Sequence, residues 1–201
     1  NKSQITTKVC VDSAPIAERA LAVRAGLGFI GKNHMLINPE LGCKIFLGEI
    51  ITDLKLEPDQ KSRVRDNAPN ESYCLTCEKC IKVCPTGALR PDGFLDASKC
   101  INYLTIEYKG EIPSELAEKI GDRLFGCEEC LNVCPYQKNA PAGKNKQFQF
   151  HPERAQINLN EVLNMNEETF KTNFGDSAIY RTGLETLKRN AKICLTKRIS
   201  S

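Results

Sequence analysis

Cys74-Leu-Thr-Cys77-Glu-Lys-Cys80-Ile-Lys-Val-Cys84-Pro85 is the stretch on which the reading of this chain turns. It holds four of eleven cysteines in 201 residues, a density that needs a chemical reason. Disulfides, zinc and iron–sulfur clusters are the three candidates. Disulfides fit poorly, because so close a spacing in a chain with no visible export leader has neither the usual pattern nor the compartment. Zinc suits paired CxxC knuckles, but a tetrahedral site is complete with four ligands and has no use for a Cx2Cx2Cx3C run. A [4Fe–4S] cube does: three cysteines at intervals of three can aim thiolates at three irons from one tight loop. The fourth, followed by a loop-breaking Pro, turns away to ligate a second cube.

The run is the one used by bacterial-type ferredoxins. A second, incomplete copy follows as Cys127-Glu-Glu-Cys130-Leu-Asn-Val-Cys134-Pro135, which repeats the last three members of the first. Cys100 supplies the missing ligand, the stretch 101–126 standing where the first run has two residues. This pseudo-repeat predicts crossed ligation. Cys74, Cys77, Cys80 and Cys134 hold one cluster; Cys84, Cys100, Cys127 and Cys130 hold the other. Cys10, Cys43 and Cys194 lie outside the pattern among apolar neighbours and are expected to be buried small hydrophobes.

Around this nucleus the composition is that of a folded chain, with 41% hydrophobic residues and a formal charge of +3. That charge is too small to argue for nucleic acid by itself. From Lys171 onward, however, Lys171, Arg181, Lys188, Arg189, Lys192, Lys197 and Arg198 stand against only Asp176 and Glu185. Either a solvated helix face or a phosphate-binding strip fits this bias. No run of apolar residues is long enough to span a membrane, and no export leader is visible, so a cytoplasmic monomer free of membrane is expected. The chain opens on an alternating strand without an initiator Met, which predicts a piece of a longer protein.

Three stretches follow from the patterning. Residues 1–57 contain a strand over Ile5–Val11, a helix over Pro15–Ala25 stopped by Gly26, and a strand over Lys44–Thr52, a β–α–β fragment of an α/β domain. A polar linker over Leu54–Ser72 leads into the cysteine module, 58–138, with one helix over Ser114–Leu124. Residues 139–201 begin as a loop and continue as helices over Asn160–Asn173 and Gly183–Leu195. The overall class is α+β.

Two upstream features carry possible chemistry. Gly26-Leu27-Gly28-Phe29-Ile30-Gly31 satisfies GxGxxG, but it follows a helix where a dinucleotide fingerprint follows a strand, so nicotinamide and flavin are excluded. Its glycines still permit close approach of another cofactor. Asp12, between the first strand and helix, reads most simply as an N-cap. His34 and His151 are ordinary polar or loop residues.

The combination of Val11-Asp-Ser-Ala-Pro-Ile-Ala-Glu-Arg-Ala20, Ala25-Gly-Leu-Gly-Phe-Ile-Gly-Lys-Asn33, the CPTGAL ending of the first run and Gly126-Cys-Glu-Glu-Cys-Leu-Asn-Val-Cys-Pro135 resembles the epoxyqueuosine reductase family. The likeness runs from about residue 9 to 138. Beyond it, Tyr180–Ala191 is similar to the start of that family's helical, HEAT-like region. The resemblance implies a cobalamin-dependent reduction that removes the epoxide oxygen of epoxyqueuosine in tRNA as water. Two clusters would pass electrons from a donor to cobalamin lying against the α/β domain. It further implies Asp12 as general acid, with Arg19 beside the substrate and cofactor and Gly28, Gly31 and Lys32 near the cobalamin.

Rival readings differ in what they leave over. A ferredoxin-type electron carrier explains every clustered cysteine but not the segments around Asp12 and Gly26–Asn33. A reductive dehalogenase couples the same cofactors but is typically exported. A plain tRNA-binding protein would have no work for the clusters.

Overall fold

The computed structural model describes residues 5–57, 73–146, 148 and 150–199. The greater part of the linker expected over 54–72, from residue 58 on, lies outside the described residues, as do residues 1–4. Helix and strand are mixed, in keeping with the expected class. The chain forms two compact units, each built from two separate stretches: Asn1–Cys80 with Cys130–Pro141, and Ile81–Glu129 with Ala142–Ser201. Neither coincides with one of the consecutive stretches 1–57, 58–138 or 139–201.

In the first unit, β1 (Thr7–Cys10) pairs with β4 (Glu49–Thr52), and β2 (Phe29–Ile30) with β3 (Leu36–Ile37), both antiparallel. The expected β–α–β unit is therefore absent from the described residues. Its helix, α1 (Glu18–Arg24), packs on the β2–β3 hairpin instead of bridging β1 and β4. Both flanking strands are shorter than their alternating sequence suggested, and Val9 and Ile50 remain exposed. The hairpin has the apolar side: Phe29 and Ile37 pack with Cys43 and Cys134, and Met35, Leu131 and Tyr136 lie against them. Short helix α6 (Pro135–Lys138) belongs to the same unit, while α2 (Lys79–Val83) and α5 (Glu129–Asn132) lead out of and into it.

The second unit is helical. A 3₁₀ turn, Ala97–Lys99, precedes α3 (Ile101–Ile106); then come α4 (Ser114–Ile120), α7 (Pro152–Ala155), α8 (Leu159–Asn164), α9 (Glu167–Phe174), α10 (Ala178–Thr182) and α11 (Leu184–Ile199). Helix α3 was not foreseen. Helix α4 stops four residues short of Leu124, where Gly121 takes φ +67°, a left-handed conformation suited to a glycine terminator. The single helix expected over 160–173 is two, because Asn166 caps a new start by accepting the Thr169 amide at 2.8 Å. Leu159, Val162, Phe170, Phe174, Leu184 and Leu187 form the core with Ala191 and Cys194. Cys10, Cys43 and Cys194 are all buried, as their apolar neighbours suggested. Among the described residues no helix is long and apolar enough to cross a membrane.

One polar side chain sits in the middle of this second unit. Asn190 is fully buried, and its amide donates to the Thr105 carbonyl at 2.8 Å and the Leu124 carbonyl at 3.0 Å. Its neighbour Arg189 donates to the carbonyls of Leu104, Tyr108 and Gly110. Replacing Asn190 by Leu removes the donor from both carbonyls, the first of them in a buried bond. A loss of about 1–3 kcal/mol in unfolding free energy is expected by urea titration.

Candidate iron–sulfur site

The approach to the first cysteine run is built by the turn between β2 and β3. Gly31 donates to Met35 O at 3.0 Å and accepts from His34 N at 2.9 Å, and the Asn33 side chain accepts the Met35 amide at 3.2 Å. The turn places Lys32 so that its Nζ donates to the Leu75 carbonyl at 2.8 Å, tying it to the cysteine loop. That loop closes on itself through Cys77 N to Cys74 O at 2.7 Å.

Cys134 arrives from the second cysteine run. It caps α6, whose Gln137 accepts the amides of Cys43 at 3.0 Å and Lys44 at 2.9 Å. The result is a cavity of about 240 Å³ walled by Cys74, Cys77, Cys80 and Cys134 together with Lys32, Asn33, Ile37, Tyr73 and Tyr136. None of the four cysteines is tied up in a disulfide. The structure thus brings together the four residues expected on one cluster. Behind the two tyrosines Phe29 packs tilted against the Tyr73 ring and edge-on to that of Tyr136, at centroid separations of 4.8 and 5.4 Å. Among the described residues no three His, Cys, Asp or Glu side chains converge on a single ion. The thiols instead stand around a space, which is what the corners of a cube require.

A fifth thiol lies close by. Burial, with the Cys134 sulfur beside it, pushes the Cys43 thiol up to about 11. At neutral pH it therefore keeps its proton, unlike a ligand.

Three of the other four expected ligands lie in the second unit. Cys100 caps α3, and Cys127 follows the loop held by Thr105, whose hydroxyl donates to Ile101 O at 2.7 Å and accepts from Gly126 N at 3.0 Å. Burial raises the Cys127 thiol, with the Cys100 sulfur near enough to add to the rise, while Arg123 and the backbone at Glu129 oppose it. Cys84 moves the other way. Burial pushes it up, but backbone N–H groups at Leu89, Thr86 and Ala88 and the Thr86 hydroxyl, 3.7 Å away, bring it below the usual thiol range. Amide donors aimed at sulfur are the environment a ligating thiolate needs. The fourth, Cys130, lies on α5.

The remaining sequence candidates are engaged within the protein. Asp12 is exposed on the turn after β1 with φ +43°, and the N-cap of α1 is Ala17, so the capping role read from the sequence is not the one it plays. Arg19 donates to the His34 carbonyl. A Cβ on Gly28 would lie 2.2 Å from the Ile37 carbonyl oxygen, and one on Gly31 2.4 Å from Ile37 Cδ1 and 2.9 Å from Asn33 Oδ1. Chain packing thus accounts for both glycines. In the basic segment, Arg181 pairs with Glu107 and Arg189 serves the carbonyls of 104–110, so part of the positive excess is spent internally. His34 sits in the hairpin turn with φ +61° and His151 caps α7. Asn33 was missed as a cavity residue, although it stands in the quoted Gly-Lys-Asn sequence.

Comparison with known proteins identifies the class first: residues 73–137 match a 4Fe-4S double cluster binding domain. More of the chain is similar to epoxyqueuosine reductases. It is 43% identical over 188 residues to that of Francisella cf. novicida (strain Fx1), covering 94% of this chain and 51% of the relative. Against that of Bacillus subtilis (strain 168) it is 39% identical, over 95% of this chain and 47% of the relative. The fold agrees as well. A crystal structure of epoxyqueuosine reductase with an epoxyqueuosine-modified tRNA-Tyr stem loop superposes with a TM-score of 0.85 at 40% identity, over 98% of this chain and 50% of the other. A Bacillus subtilis structure, whose catalytic Asp loop is swung out of the active site, gives 0.83 at 38%, over 97% and 49%. The likeness to epoxyqueuosine reductase first seen in a few motifs therefore holds across the whole chain in sequence and fold. The chain spans about half the length of the curated relatives it matches.

Gly28 tests how tightly this scaffold is closed. The atom its side chain would strike is backbone, whereas at Gly31 the nearer atom is a side-chain methyl that can give way. Gly28→Ala is expected to lower the urea midpoint more than Gly31→Ala, with the latter costing about 1–3 kcal/mol.

Proposed function

We propose that this chain provides the electron-transfer part of an enzyme that reduces epoxyqueuosine to queuosine at the wobble position of tRNA. The observation that carries the reading is the cavity walled by Cys74, Cys77, Cys80 and Cys134 within a stretch matching a double-cluster domain. Those four cysteines hold one [4Fe–4S] cluster, and Cys84, Cys100, Cys127 and Cys130 the second. Residues 58–138 then act as the ferredoxin-like module, 1–57 as part of the substrate and cofactor domain, and 139–201 as the start of a helical region.

Removing the epoxide oxygen as water takes two electrons and two protons. Two clusters held by these cysteines would supply electrons singly, and cobalamin, which the family resemblance implies, would supply the chemistry at the carbon–oxygen bond. Arg19, Gly28, Gly31 and Lys32, the residues expected near cobalamin, make the internal contacts described above. The cobalamin reading thus rests on the resemblance rather than on their geometry. Asp12 is the candidate general acid for the departing oxygen. Its exposed position on a turn fits a residue on a moving loop, and the Bacillus subtilis relative has its catalytic Asp on such a loop. The substrate tRNA is the partner, as in the relative bound to a modified stem loop. An unidentified reductant supplies the electrons, and the enzyme works in the cytoplasm as a monomer.

The test is anaerobic reconstitution of the full-length protein, followed by mass analysis of the wobble nucleoside in a modified stem loop. Conversion to queuosine is expected, together with about eight irons per chain from two cubes. Asp12→Asn should keep the iron and acid-labile sulfide while slowing turnover by about 10²–10⁴-fold. Normal turnover by that variant would remove Asp12 from the acid role.

A further inference from the structure

Asn33 has a donor with nothing to donate to. It is 6% exposed, and its Nδ2 is buried without a hydrogen-bond partner among the described residues. The orientation of the amide is set by its other end, since Oδ1 accepts the Met35 N–H at 3.2 Å. Turning the amide over would set two N–H groups against each other. The residue also lines the cavity of Cys74, Cys77, Cys80 and Cys134.

We infer that Asn33 donates a hydrogen bond from Nδ2 to a sulfur of the cluster held by those four cysteines, and so raises its reduction potential; this rests on the double-cluster reading above. A buried N–H left unmade is costly, which is why such groups in native proteins have partners. With a cluster bound, its thiolates and bridging sulfides would be the acceptors this cavity provides. They would carry negative charge, and Lys32 and Lys79, which also line the cavity, match it. A donor to sulfur favours the state with more negative charge, which is the reduced cluster, so it moves the potential upward.

The surrounding architecture agrees with this role. Gly31 lacks a side chain where Asn33 Oδ1 would be met at 2.9 Å, leaving room for the amide at that place. Closing the hairpin turn needs only the Oδ1 acceptor, a task that Asp or Ser performs as well. The amide nitrogen is surplus to the turn and serves the cavity.

The experiment compares full-length wild-type protein with Asn33→Ser and Asn33→Asp after anaerobic reconstitution, using redox titration followed by electron paramagnetic resonance. Both variants keep an acceptor for Met35 N and lose the nitrogen donor. Each is expected to retain wild-type iron and sulfide, with one midpoint potential moved to a more negative value and the other unmoved. The Ser variant guards against an effect of the added charge in the Asp variant. The centre that moves should be the one missing from Cys134→Ser protein. Unchanged midpoints, an equal shift of both centres, or loss of iron from both variants overturns the inference. Wild-type protein without iron or acid-labile sulfide would bring down the double-cluster reading, and this inference with it.

Discussion

The packing of Ile37 is the constraint on which the first unit depends. It is 1% exposed, joins Phe29, Cys43 and Cys134 in one apolar cluster, and forms part of the cavity wall. Its carbonyl and its Cδ1 occupy the places where side chains at positions 28 and 31 would be. A close-packed interior transmits such a demand directly, because no slack volume absorbs it. Both glycines thus answer to one residue, Gly28 to the backbone of Ile37 and Gly31 to its side chain.

Cys134 is far in sequence from the residues it packs on, and Gln137, in the helix it caps, ties it to them. One carbonyl oxygen takes two amides, those of Cys43 and Lys44, and so pins the short helix after Cys134 to the strand-like segment before it. The same pinning puts Cys43 beside Cys134. Burial, with the Cys134 sulfur beside it, is what holds the proton on Cys43.

What could be read in advance was whatever depends on covalent spacing. A thiol every third residue is a local geometric statement, so the cluster run, its partial repeat and the family likeness were legible. Strand direction was not: the alternation in Ile5–Val11 and Lys44–Thr52 marks a half-buried strand of either sense, and the observed pairing is antiparallel. The break between α8 and α9 turns on whether Asn166 caps or continues a helix, a choice that apolar periodicity does not record. The glycines of Gly26–Gly31 show the commonest trap. A missing side chain advertises close approach without naming the approaching group, and at Gly28 and Gly31 that group is Ile37.

The second cysteine run raises a different question, which the helical unit answers. In the first run two residues hold Cys74 and Cys77 in register, while in the second the whole stretch 101–126 separates Cys100 from Cys127. A separation of that length costs order unless something closes it. Thr105 closes it with one hydroxyl, donating to the carbonyl next to Cys100 and accepting the amide next to Cys127. Asn190 then fixes both sides of the same bridge through Thr105 O and Leu124 O. The C-terminal helix thus holds the ends of the stretch 101–126 together by buried hydrogen bonds, where a CxxC spacing does so by covalent geometry. This explains why α11 carries its only described fully buried amide where it does, and why Arg189 beside it turns to backbone carbonyls instead of solvent.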